Sequence, residues 1–252
     1  MAGYRKDFPK ALGGATRAFL DLLFPRDCLS CGTMVEGEGP LRALCDPCTR
    51  RITLADRPGC PTCGYPMFGT VRQDHECPHC HLLKPIFSRG FTVTVMRGPM
   101  RDLIHQFKYR GNRMALQDAL TLAAGNSRLG EFLAGGGIFV PVPLHARKQR
   151  ERGFNQALEI ARGLRRIDPR WTVQPLLQRV RDTPTQTLLA RQARQKNLKN
   201  AFAIRPSVDF DKDSRLIIVD DVFTTGSTLN SCAAVLRKAG FTRIDVLTLG
   251  HG

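Results

Sequence analysis

The sequence has no run of about 18 apolar residues, so nothing in it reads as a membrane-spanning helix and no membrane insertion is expected. A secretory leader pattern is also missing. The best early apolar stretch, residues 19–24, is short, is interrupted by Asp21 and lacks a small-residue cleavage site, so a cytoplasmic location is the expectation. Acidic residues are in deficit, with 22 Asp+Glu against 38 Lys+Arg and a formal net charge of +16. That imbalance points to anionic partners, either nucleic acid or phosphorylated metabolites. Hydrophobic content is not in deficit: 42% of 252 residues excludes wholesale disorder and leaves ample chain for one or two domains with real cores.

The basic excess is concentrated. Residues 141–205 hold 15 Lys/Arg and 4 Asp/Glu, a net +11 in about a quarter of the chain. A solvated helix face accounts for a few such charges, but a cluster of this size favours an anion-binding surface. Within it the aromatics are only Phe154, Trp171 and Phe202, a weak signal for base stacking.

Nine cysteines are present, and eight form four C-x-x-C pairs: Cys28/Cys31, Cys45/Cys48, Cys60/Cys63 and Cys77/Cys80. Thirteen residues separate Cys31 from Cys45, and thirteen separate Cys63 from Cys77, so the pattern repeats with a period of 32. Two such knuckles supply four thiolates tetrahedrally to Zn²⁺, and two structural zinc sites are expected. A disulfide framework would need an oxidising compartment, for which the chain carries no export signal. Two pairings use the same residues: sequential (28/31/45/48 with 60/63/77/80) or cross-braced (28/31/60/63 with 45/48/77/80). Gly32 and Gly64 follow the second cysteine of their pairs, where a knuckle needs backbone freedom. His75, His79 and His81 crowd the last knuckle and are read as neighbours rather than ligands, because four cysteines already fill each site. Filled sites hold a fold together and leave no position for chemistry. Cys232 stands apart on an amphipathic pattern and reads as a small buried hydrophobe.

Three regions follow. Residues 1–25 contain an amphipathic helix over 9–24, with Leu12, Ala15, Phe19, Leu20 and Leu23 on one side and Pro25 ending it. Residues 26–88 form the double zinc ribbon. Residues 89–252 alternate strands and helices: strands at 90–96, 138–142, 216–219 and 244–249, and helices at 98–109, 113–129, 154–167 and 225–239. Alternation of this kind implies an α/β domain with a parallel sheet covered by helices on both faces.

The most specific stretch starts at the apolar strand 216–219, which ends in Asp220 and Asp221. Val222 and Phe223 lead into a hydroxyl-rich loop, Thr224, Thr225, Gly226, Ser227 and Thr228, and then a helix. Ligands of open α/β sheets bind beyond the carboxyl ends of strands. A helix N-terminus there offers free N–H groups and the positive end of a dipole, and Gly226 allows close approach, so the loop is a phosphate cradle. Ordinary N-capping needs one hydroxyl, not four. The G-x-x-x-x-G-K-[ST] spacing of a Walker loop is absent. Phosphate would repel the two carboxylates, so they address sugar hydroxyls or Mg²⁺.

Residues 219–228 resemble the phosphoribosyl pyrophosphate (PRPP) motif of type I phosphoribosyltransferases. Residues 141–144, 147–156, 183–186, 194–197 and 201–202, together with the N-terminal knuckles, are similar to the ComF family of competence-associated proteins. The resemblance covers nearly the whole chain. It implies a type I phosphoribosyltransferase-like domain in which Asp220 and Asp221 hold the ribose hydroxyls and residues 224–228 bind the 5-phosphate. It makes the turn at Pro143 and Leu144 the pyrophosphate loop, with Arg147, Arg150 and Arg152 as counter-charges. Lys108, Tyr109 and Gly111 belong to a further similar segment to which no role attaches. Several purine-salvage transferases carry an acid where this chain has Thr224, which argues against purine activation by that residue.

The expectation is a phosphoribosyl transferase that uses Mg²⁺ with PRPP, has an unassigned acceptor and works in the uptake or use of DNA. The arginines would neutralise the departing pyrophosphate. The alternative is a non-catalytic zinc module that binds single-stranded DNA, retains the PRPP site as a sensor and works beside a DNA-uptake helicase.

Overall fold

The computed structural model describes residues 26–35, 39–55, 58–69, 73–181, 200–206 and 211–252. The expected helix over 9–24 and the similar segments at 183–186 and 194–197 lie outside them.

Among the described residues, five strands form one sheet in the order β1-β7-β6-β2-β3, with every neighbouring pair parallel. They are β1 (Gly90–Val95), β2 (Gly137–Pro141), β3 (Trp171–Val173), β6 (Leu216–Phe223) and β7 (Ile244–His251). The inner strands β6 and β7 are buried along almost their whole length, as strands covered on both faces must be. β4 (Leu177–Arg179) and β5 (Phe202–Ile204) make a separate antiparallel ribbon. The helices are α1 (Asp46–Thr49), α2 (Pro78–Leu83), α3 (Gly98–Arg110), α4 (Arg113–Gly125), α5 (Ser127–Phe132), α6 (Ala146–Arg152), α7 (Gln156–Ile167) and α8 (Ser227–Lys238). This is the α/β, phosphoribosyltransferase-like architecture expected from the sequence.

Alternation along the strands divides the core in two. Phe139, Ile217, Val219, Leu247 and Leu249 face α3, α4, α5 and α7. Ile138, Val140, Leu216, Ile218 and Val246 face α8 and the β4–β5 ribbon. The two zinc ribbons divide in the same way: Cys28, Cys45 and Cys48 join the first cluster, whereas Cys60, Cys63, Cys77 and Cys80 join the second. The ribbons therefore clasp opposite faces of one sheet. Between them, residues 53–55 run antiparallel to β1, with Ala55 N–H donating to Val93 O at 2.9 Å and Val95 N–H to Thr53 O at 2.9 Å. That pairing covers an edge which would otherwise be open to another strand.

The structure refines several expected elements. β6 runs through the aspartates to Phe223 instead of ending at Val219. The single helix expected over 113–129 is broken at Asn126, whose side chain accepts from Arg128 N–H and starts α5. α6, β3 and the β4–β5 ribbon carry no legible period, being only three to seven residues long.

Candidate functional site

The sulfurs of Cys28, Cys31, Cys45 and Cys48 lie within 4.8 Å of one another, and so do those of Cys60, Cys63, Cys77 and Cys80. The sequential pairing holds and the cross-braced one does not. In each set the second pair sits on a helical turn: Cys45 and Cys77 are the N-caps of α1 and α2, and a proline in the first turn starts the helix. Cysteines three apart on such a turn present both sulfurs to one side. Gly32 and Gly64 adopt φ of +77° and +76°, the freedom a knuckle needs. Gly64 is also hemmed in, since a Cβ there would lie 2.6 Å from the Thr92 nitrogen.

Both clusters fit zinc. Sulfurs 2.3 Å from a tetrahedral ion stand about 3.8 Å apart; Cys63 and Cys77 are separated by 3.8 Å and Cys31 and Cys45 by 3.6 Å, far beyond a disulfide bond. Burial pushes the Cys48 thiol up to about 12, while the Thr33 hydroxyl holds Cys31 down at about 6. Four crowded thiols ionise together only around a cation. Among the described residues the clusters consist of cysteine alone. His75 and His81 are exposed, and His79 packs edge-on to Phe223.

All five strands are parallel, so the loops after β2 and β6 emerge side by side at one edge, with Val142 N–H donating to Val219 O at 3.0 Å. Asp220 and Asp221 lie at this edge. Asp220 is paired with Thr248 of β7, and neighbours along a strand point to opposite faces. Asp221 lies on the α3 side, where Lys108 Nζ is 2.8 Å from its Oδ2 and both side chains are largely buried. Asp220 lies on the α8 side. Burial first, and then the Asp220 charge, push the Cys232 thiol up. Asp221 N–H donates to Asp220 Oδ1 at 2.9 Å. Burial, and after it the neighbouring Asp221 charge, raise the Asp220 carboxyl to about 7. Burial alone would lower Lys108, but the two aspartates outweigh it and the net shift is upward.

Beyond Phe223 the hydroxyl loop turns into α8. Gly226 is the N-cap, with φ of +68° and no side chain of its own to cap the helix. Ser227 N–H makes a long bond to Thr225 Oγ1 at 3.4 Å, and Thr225 Oγ1 donates to Ser227 Oγ at 3.0 Å. Thr224 is exposed, and Thr225 and Thr228 are partly buried. The loop thus keeps donors at the positive end of a twelve-residue helix, the arrangement that receives a phosphate. Its underside rests on the second ribbon: a Cβ at Gly226 would come 2.5 Å from Leu83 Cδ2 of α2 and 2.6 Å from Phe223 Cζ. Ile86 N–H donates to Asn230 Oδ1 at 2.7 Å and fastens the same ribbon to α8.

Pro143 is buried and Leu144 half-buried in the β2 turn. The turn is pinned by Asn155, a residue sequence reasoning missed: its Nδ2 donates to Val142 O at 3.0 Å while its Oδ1 caps α7. Arg147, Arg150 and Arg152 ride on α6, which buries nothing. Arg147 pairs with Glu151 along that helix at 3.0 Å, Arg150 is exposed, and Arg152 lies over the Tyr109 ring at 5.4 Å. Lys108 and Tyr109, to which no role attached in the sequence, therefore connect Asp221 of β6 with Arg152 of α6. Trp171 and Phe202 are buried in the core, which removes them as stacking surfaces.

Mg²⁺ fits the carboxylate pair poorly, because an ammonium already lies 2.8 Å from Asp221 Oδ2.

Residues 19–81 match the family model of the double zinc ribbon domain. The chain is 33% identical over 210 residues to DNA utilization protein YhgH of Escherichia coli strain K12, covering 82% of this chain and 89% of that protein. It is 32% identical over 211 residues to Competence protein F of Haemophilus influenzae, covering 82% and 90%. Competence protein ComFC of Bacillus subtilis is 24% identical over 232 residues, covering 84% and 89%.

Proposed function

Because the chain belongs to the ComF family, that of Competence protein F and DNA utilization protein YhgH, we propose that it serves DNA uptake or use through a crevice that binds PRPP. The observation that carries the reading is the carboxyl edge of β6, where the Asp220–Asp221 pair stands one short turn from a helix N-terminus whose N-cap is a glycine. Two carboxylates accept from the cis hydroxyls of a ribose, while residues 224–228 donate to its 5-phosphate. The Pro143–Leu144 turn and Arg152 face the pyrophosphate side, with Arg147 and Arg150 adding charge from α6. Magnesium belongs to this scheme as the counter-ion that pyrophosphate brings with it.

In the transfer itself, the C1–oxygen bond breaks with its electron pair leaving on pyrophosphate, and a lone pair of the acceptor forms the new bond at C1. The protein's part is to hold the ribose and to stabilise charge on the leaving group. With Thr224 in the loop, no carboxylate at that position takes the acceptor's proton, which passes to the departing pyrophosphate or to water. Isothermal titration with PRPP and Mg²⁺ tests the reading. Wild type is expected to bind, and Asp220→Asn with Asp221→Asn is expected to weaken binding by more than about tenfold. Unchanged affinity in the double variant would sink it.

A second reading, single-stranded DNA along the rim, is supported by Arg113 and Arg166, with Arg162 beside them paired to Glu159 at 2.7 Å. They flank an open groove of about 330 Å³ between α4 and α7. Fluorescence anisotropy over a salt series tests it: neutralising several phosphates releases counter-ions, so the log–log slope must be clearly negative.

A further inference from the structure

Two adjacent carboxylates at the end of a buried strand need a counter-charge, and the molecule supplies one itself. Lys108 belongs to the last turn of α3, a helix held against the sheet by Met100, Leu103, Ile104 and Phe107. A lysine on such a helix ordinarily carries its ammonium out to water along its flexible stem. Here the side chain is only 27% exposed and the ammonium turns inward to Asp221, itself 9% exposed. The partners are 113 positions apart in sequence and come from different elements, so the contact is a product of the fold.

We infer that Lys108 is the resident cation of the ribose anchor, so that the crevice grips a phosphorylated ribose without a divalent metal at its carboxylates. The inference rests on the proposed PRPP reading of Asp220 and Asp221. A metal ion at Asp221 Oδ2 would stand against an ammonium 2.8 Å from that oxygen and would have to displace it. Displacement would leave the Lys108 ammonium, on a side chain only 27% exposed, without its carboxylate partner, which is costly. A ribose hydroxyl meets no such conflict, since it brings a donor to the carboxylate's remaining lone pairs. Lys108 acts through Asp221, holding its carboxylate in place with an ammonium 2.8 Å away, and is therefore a positioning residue.

The test uses ribose 5-phosphate, which has no pyrophosphate to recruit metal. Its affinity is measured calorimetrically in excess EDTA and in millimolar Mg²⁺ for wild type, Lys108→Arg and Lys108→Gln. Wild type is expected to bind equally in both buffers, within about twofold. Lys108→Gln keeps an N–H donor on a shorter stem and loses the charge. It is expected to weaken binding about tenfold in EDTA and to regain part of that loss in Mg²⁺, while Lys108→Arg stays close to wild type. A purely structural lysine would show neither metal rescue nor recovery by arginine. Wild-type binding that requires Mg²⁺, or Lys108→Gln binding that matches wild type in EDTA, would overturn the inference. If PRPP binds in Mg²⁺ while ribose 5-phosphate binds in neither buffer, the inference falls and the PRPP reading stands. If neither ligand binds, the reading falls and takes the inference with it.

Discussion

Asp220 and Asp221 are consecutive residues whose carboxylates serve opposite faces of one sheet: Asp221 meets Lys108 of α3, and Asp220 lies close enough to Cys232 of α8 to raise its thiol. The pair is consequently unequal. One carboxylate has an ammonium partner, and the other is held near neutrality by burial and by its neighbour's charge.

On the proposed PRPP reading, that inequality is expected to make ribose binding pH-dependent. Asp220 titrates at about 7 in the folded protein, against about 4 in the unfolded chain, so the folded state holds a proton that the unfolded state has lost between those values. Stability from this group is full below about pH 4 and is lost as pH rises through 7. The groups facing Asp220 are Asp221, Lys108 and Cys232. Ribose hydroxyls are better accepted by the ionised form, so ribose 5-phosphate affinity is expected to rise through neutrality. Asp220→Asn is expected to flatten the profile, and calorimetry from about pH 6 to pH 8 reads both.

Gly226→Ala should strike the proposed phosphate loop. The backbone there is left-handed, and a methyl group would meet Leu83 and Phe223 at 2.5–2.6 Å. A cost of about 1–3 kcal/mol and a loss of PRPP affinity are expected, measured by thermal unfolding and by titration.

Metal content divides by ribbon. Elemental analysis of reduced protein is expected to give about two Zn²⁺ per chain. Cys28→Ser and Cys80→Ser should each remove one. Only the second should weaken phosphate binding, because Leu83 and Ile86 of that ribbon support Gly226 and Asn230.

Asp118 of α4 is 1% exposed and accepts from Arg42 N–H at 2.9 Å and Ala43 N–H at 2.7 Å, tying the first ribbon to the sheet's helices. Burial raises its carboxyl to about 6. Asp118→Ala would orphan two buried donors at a cost of about 2–3 kcal/mol. Faster hydrogen exchange at Arg42 and Ala43 is the specific readout, and unchanged exchange would refute the anchor.

How much of this was legible depended on the range of the signal. The cysteine knuckles, the apolar run before Asp220 and the hydroxyl loop are local patterns of composition and spacing, and each reads off a short window. The longer helices and buried strands were legible for the same reason. Lys108 was not: on its own helix it looks like any solvated lysine, and only the packing of α3 across β6 reveals its partner. Asp118 left a fainter mark, one carboxylate in the apolar stretch of α4, which becomes meaningful once the first ribbon lies against it.

The strand order has a temporal consequence. β7 is last in sequence yet lies between β1 and β6. Each ribbon closes over a loop of about twenty residues and can take its metal as soon as it leaves the ribosome. β1 then waits about 150 residues for its neighbour, roughly 10–30 s of synthesis. During that interval the apolar faces of Phe91 and Val93, and later of Ile217 and Val219, lack the strand that joins them. The nascent chain is thus a pair of early-closing cysteine ribbons beside a sheet that stays incomplete until β7 emerges.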